Sequence, residues 1–196
     1  MFARLALAGA ALVVAVLPAT AQTWKIDSAH STASFTVKHM MVSNVHGRFG
    51  KLEGTIVYDG QNIANVKAST TIDATTITTD NEKRDAHLKS PDFFDVAANP
   101  TITFTSKRAE AVGKGKFKLI GDLTMRGTTK EVVLDVEGPT DPVTANNSQR
   151  VGATATTTIN RKDYGVSWSR TMDGGGYVVG DDVKVTIELE LIKQTS

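Results

Sequence analysis

The run Asp182-Val183-Lys184-Val185-Thr186-Ile187-Glu188-Leu189-Glu190-Leu191-Ile192 alternates strictly. Val183, Val185, Ile187, Leu189 and Leu191 fall on one side, and Lys184, Thr186, Glu188 and Glu190 on the other. Successive side chains of an extended chain point to opposite faces, so a period of two marks a strand with one face buried and one in water. The same reading holds where Ala33, Phe35 and Val37 oppose Ser34, Thr36 and Lys38. It holds again where Val132, Leu134 and Val136 oppose Glu131, Asp135 and Glu137, with Val133 out of phase. Further strands are predicted at 52–58, 66–73, 101–107, 117–125 and 151–160, most of them rich in β-branched residues.

Turn-forming residues punctuate these runs at Asp59-Gly60, 113–115, Arg126-Gly127 and Asp141-Pro142. Short links make neighbouring strands antiparallel. The exception is 79–91, where Thr79 and Glu82 stand at capping-box spacing and the residues to Lys89 read as a short helix. A brief helical turn is also expected over 38–44, and the 141–149 and 174–176 segments read as loops. About eight strands with one apolar face each can stack as a sandwich or close into a barrel, and closure removes the exposed edges. An all-β antiparallel barrel is therefore expected. At this size its interior is either filled by its own side chains or holds one small ligand, and the pattern leaves both open. The faces away from the core carry Lys, Thr, Ser and Glu, which excludes a lipid-facing outer-membrane barrel.

Residues 1–21 differ in kind from the rest. Arg4 precedes an apolar run from Leu5 to Leu17, followed by Pro18 and Ala19-Thr20-Ala21. This reads as a cleaved secretory signal peptide of bacterial type, too short and too early broken by proline to span a bilayer, with residues 22–196 as one domain in the periplasm. Lys plus Arg number 22 against 21 Asp plus Glu, and Arg4 leaves with the leader. The neutral remainder argues against nucleic-acid or anionic-membrane partners, and the same patterning against stable membrane insertion. Cysteine is absent, which excludes disulfides, thiolate chemistry, haem attachment and cysteine-based zinc sites.

His30, His39, His46 and His87 are the candidates for a metal site or an acid–base centre, but none has the spacing of paired ligands on one strand or of a zinc-protease motif. His39 and His46 share one irregular stretch and could converge. Asp85 and His87, two apart on a helix, point in different directions. No nucleophile elbow accompanies Asp27, Ser28 and His30. No catalytic residue, metal ligand or cofactor is assigned. An enzyme using the loop histidines, such as a metal-dependent hydrolase or a lipid-modifying activity, is the alternative reading. A different signal comes from apolar residues where a surface should be polar: Met40, Met41 and Val42 at a strand end, and Phe93 and Phe94 past the helix. They either plug a barrel end or line a cavity mouth, where adaptable Met side chains suit a flexible apolar ligand.

Several blocks, taken in order, resemble one family. They are Trp24-Lys25-Ile26-Asp27 with His30-Ser31, the stretch from Val37-Lys38-His39-Met40-Met41 to His46-Gly47-Arg48-Phe49, and Arg84-Asp85-Ala86-His87-Leu88-Lys89-Ser90-Pro91-Asp92-Phe93-Phe94-Asp95. Asn99-Pro100, Ile102-Thr103-Phe104, the block from Gly121 to Thr129 and Asn160-Arg161-Lys162-Asp163-Tyr164-Gly165 continue the match. The chain is similar along nearly its whole mature length to the YceI-like family. The resemblance implies an extended, eight-stranded, lipocalin-like antiparallel β-barrel with a short helix near one end. It implies further that an apolar pocket holds a polyisoprenoid, such as an isoprenoid quinone or its precursor, or a similar long-chain amphiphile.

Carried onto this chain, it places Phe35, Val37, Leu52, Ile56, Phe104, Leu119, Leu123 and Met125 inside, and Met40, Met41, Phe49, Leu88, Phe93, Phe94 and Trp168 at the mouth or lid. His39, Arg84, Asp85 and His87 are expected near a ligand head group or tying the helix to the barrel. The bound lipid is the partner expected, and a homodimer stays open.

Overall fold

The structure, a computed structural model, describes residues 21–195. The expected leader, Ala21 apart, lies outside the described residues. The chain runs through β1 (Gln22–Ile26), β2 (Thr32–His39), β3 (Ser43–Phe49), β4 (Leu52–Tyr58), β5 (Lys67–Asp73) and β6 (Ile77–Thr78) before α1 (Glu82–Lys89). It continues as β7 (Thr101–Gly113), β8 (Lys116–Met125), β9 (Thr128–Glu137), β10 (Val143–Ala145), β11 (Ser148–Asn160) and β12 (Val179–Lys193).

The stretch that fixes the fold in sequence also closes it in space. Along one edge β12 pairs with β11 from Asp182 to Ile192. Its other edge is shared, with β1 against Leu191–Lys193 and β2 against Val179–Glu188. From β11 the sheet runs through β9, β8, β7, β5, β4 and β1 back to β12, a closed antiparallel ring of eight strands. The hairpin β2–β3, with β6 at its edge, takes over the wall beyond the end of β1. This handover makes the barrel extended: the Lys193 end is closed by β1 and β4, and the Val179 end is walled by β2 and β3.

The handover corner is tied by charge. Asp27, just past β1, accepts from His30 Nδ1 at 3.0 Å and from Arg150 Nη1 at 2.9 Å, and Arg150 also donates to Glu190. Hydrogen bonds from His30, Arg150 and the Ala29 amide hold the Asp27 carboxyl down at about 2. The same carboxylate raises His30 above its usual 6.5.

Three local expectations are corrected. No helical turn occupies 38–44. His39 pairs with Ser43, and Met40 and Met41 adopt positive φ (51° and 62°), so β2 and β3 form a hairpin whose turn closes through Val42 N to His39 O at 3.1 Å. Alternation of Val45, Gly47 and Phe49 was the strand signal there, blurred by Gly47. The helix is capped by Asn81, whose side chain accepts from Arg84 N, and Thr79 is buried against Asp85 instead of forming a capping box. The 141–149 segment is a hairpin, with β10 paired to Ser148–Arg150 across an Asn146-Asn147 turn at positive φ.

Candidate functional site

Alternation turns one side chain in two inward, and the inward residues of β2, β4, β5, β7, β8, β9, β11 and β12 leave a cavity of about 220 Å³. Along β12 its lining runs from Val179 to Leu189, ten residue steps or about 33 Å of strand. A compact apolar void of roughly 150 Å³ takes a benzene-sized guest. A comparable volume drawn out along a strand suits a slender chain. Among the described residues, the polar ones along it are Ser34, Thr70, Thr103, Thr157 and Arg161.

Small residues keep the lumen open. Ala33, Ala68, Ala153 and Ala155 all face it. Phe35 lies directly opposite Gly47 across β2–β3, and a Cβ at Gly47 would collide with its ring. Gly121 is overlaid by the Phe104 ring and the Thr105 carbonyl in the same way. Both rings therefore lie against the wall instead of across the bore. Sequence reasoning missed this set, although Gly47 and Gly121 stand in phase with inward neighbours, which is the available signal.

Phe35, Val37, Leu52, Ile56, Phe104, Leu119, Leu123 and Met125 all line this cavity, as do Phe49, Leu88, Phe93 and Phe94. Leu88 and Phe93 also face a wider vestibule of about 520 Å³. Phe35, Val37 and Val179 line both spaces, so lumen and vestibule adjoin. Trp168, His39, Arg84 and His87 line the vestibule alone. Met40 and Met41 line neither space; they stand exposed on the β2–β3 turn at the rim of the vestibule, because the turn carries them past the end of the wall. Asp85 also lies outside both linings. Its carboxylate accepts from Thr78 Oγ1 at 2.9 Å and from Thr79 N at 2.8 Å, tying α1 to β6. Burial opposes its charge, but these hydrogen bonds outweigh burial and hold its pKa below the ordinary range.

The mouth is an aromatic frame on a hydrogen-bonded strap. His87 packs edge-on against both Phe93 and Trp168, ring centroids 4.9 Å apart in each case, and its Nε2 meets Asp92 at 2.8 Å. Phe94 stacks edge-on over Phe49 at 5.8 Å. Arg126, on the β8–β9 turn, donates to Pro91 O at 2.6 Å and to Gly165 O, pinning the loop after α1. Arg84 is held by Thr79, through Nε to Oγ1 at 2.7 Å and Nη2 to the carbonyl at 3.0 Å. Lys38 and Lys83 complete a basic vestibule whose lining, among the described residues, has no carboxylate.

Arg161 was quoted in sequence but given no role. The residue is 4% exposed, and its guanidinium donates to the carbonyls of Gly180, Val166, Trp168 and Val179 and to Asp181. It thus gathers 161–168 and 179–181 around the mouth. Burial lowers its pKa, opposed by Asp181.

The histidines do not act as one group. His46 points outward to Thr36 Oγ1 at 3.0 Å, while His39 faces the vestibule, so the expected convergence is corrected by strand parity. Among the described residues, the group of three ligand-type side chains whose ligand atoms all lie within 4.8 Å of one another is Asp27, His30 and Glu190. That cluster lies at the handover corner, and Arg150 already bridges its two carboxylates.

A profile of the YceI-like domain matches residues 24–191. A UPF0312 protein of Staphylococcus aureus (strain MSSA476) is 38% identical over 165 residues, 84% of this chain and 94% of that one. Among solved structures, the Campylobacter jejuni YCEI protein is 30% identical, covers 81% of this chain and 90% of its own, and superposes with a TM-score of 0.68. Burkholderia cenocepacia BcnA has a TM-score of 0.72 at 24% identity over 84% of this chain and 98% of its own. A polyisoprenoid binding domain from Saccharophagus degradans has 0.65 at 16% identity over 88% and 99%. These last two likenesses are of fold.

Proposed function

The chain belongs to the YceI-like family, and from that premise we propose that it binds, carries or stores a polyisoprenoid or similar long-chain amphiphile in the periplasm. The observation that carries the reading is the lumen itself, apolar over about 33 Å of strand and held open by alanines and by glycines under two phenylalanine rings. Each methylene moved there from water contributes about 0.8 kcal/mol, so a long chain is held without any covalent step. The Saccharophagus degradans domain of the same fold, described as polyisoprenoid binding, agrees with this reading. The signal-peptide pattern of residues 1–21 supports export.

Stripped of lipid and titrated with a polyprenol, the protein is expected to gain about 2.7 kcal/mol at a hundredfold excess over Kd, raising Tm by about 5–10 °C. Ala155→Phe, which fills the bore, is expected to lose the shift. No shift with polyprenols, quinones or fatty amides overturns the reading.

A further inference from the structure

The β2–β3 turn presents Met40, Met41 and Val42 to solvent at 44%, 65% and 81% exposure. Three consecutive apolar side chains at a tip are unusual, and Met40 and Met41 also occupy the left-handed region that glycine or asparagine would take without strain. Folding alone does not ask for them. Their position is specific: Met40 N donates to Val178 O at 2.8 Å and His39 pairs with Val179, so the tip stands on the rim of the vestibule. Tyr177, 51% exposed with Lys162 Nζ over its ring at 5.0 Å, stands beside it on the neighbouring hairpin. Among the described residues the vestibule lining contributes Lys38, Lys83 and Arg84 and no carboxylate, so the rim is locally basic although the chain as a whole is near neutral and its overall charge does not favour an anionic membrane.

We propose that this rim docks the mouth onto an anionic phospholipid surface, the Met40–Val42 tip entering the acyl boundary while Lys38 and Lys83 meet the head groups. An apolar tip, an interfacial tyrosine and unopposed lysines are the three contributions that bring a protein to such a surface. The arrangement sits at the opening through which a water-insoluble chain must pass, and it rests on the lipid-carrier reading. Docking there lets a chain move between bilayer and lumen without crossing water.

The test is flotation of the full protein, recovered from the envelope of expressing bacteria, with vesicles of phosphatidylcholine alone or mixed with phosphatidylglycerol. Binding is expected to be about tenfold tighter to the anionic vesicles and to weaken with salt. M40S/M41S/V42S and K38Q/K83Q are each expected to lose about tenfold, with circular dichroism unchanged in both and bound lipid unchanged in the tip variant. Protein that holds lipid by native mass spectrometry yet ignores both vesicles, or variants that float like the parent, overturn docking and point to delivery by a protein partner. Protein that floats but never holds lipid overturns the carrier reading alone.

Discussion

At the Lys193 end of the barrel, Trp24, Ile26, Leu52, Val151 and Leu191 pack as one buried apolar cluster. At the Val179 end the same sheet carries left-handed methionines on its rim, five hydrogen bonds drawn to a buried arginine and a stacked histidine. Just inside lies Tyr164, 2% exposed, whose hydroxyl finds no partner among the described residues and whose pKa burial pushes up to about 12. One end is built as a core and the other spends strain and polarity on shaping an opening. Stability and access are therefore separable along one axis, and substitutions should divide accordingly.

The sharpest division is expected from Trp24→Ala. It removes the largest side chain of the closed end and should cost about 3–5 kcal/mol in chemical denaturation, while folded molecules keep their lipid. Loss of lipid with unchanged stability would mean that the two ends are not separate. Gly47→Ala should behave oppositely. The new methyl drives the Phe35 ring into the bore, so a destabilisation of only about 1–3 kcal/mol should accompany a loss of most polyprenol binding, measured by titration calorimetry. Equal binding would show that the ring has another place to go.

The smallest effect belongs to the handover corner. Asp27, depressed to about 2 from 3.8, contributes stability that is present above pH 3.8 and lost as pH falls towards 2. His30, raised above 6.5, contributes stability that is present below pH 6.5 and lost as pH rises through its folded value. Melting temperature should therefore plateau between those limits and decline gently on both sides. In Asp27→Asn the His30 imidazole, followed by NMR, should titrate back near 6.5. A histidine that titrates unchanged would contradict the pairing.

The ring was legible because its strands have one wet face: the 182–192 alternation alone places Val183 to Leu191 inward, and Ala33, Phe35 and Val37 follow. β1 and β3 were not. β1 is only five residues long, and in β3 a glycine stands where the inward pattern needs a large residue. That same glycine is what the lumen requires, so the local signal failed at a point where function overrides packing. Asn81 displaced Thr79 as the cap because Thr79 is drawn inward to Asp85, a tertiary contact that no spacing rule contains. Arg161 was invisible for the same reason, since its partners are backbone carbonyls brought together only by the closed barrel. The positions of Phe35, Leu119 or Phe104 followed from parity, whereas Met40 and Met41 depended on a turn geometry that methionine seldom adopts.

The most direct test is native mass spectrometry of the protein taken from the bacterial envelope without added lipid, followed by denaturation and identification of what is released. A stoichiometric adduct of several hundred daltons that proves to be an isoprenoid or long-chain amphiphile is the expected result. The bare mass from several hosts, with no gain on adding such lipids, would contradict a lipid-holding lumen.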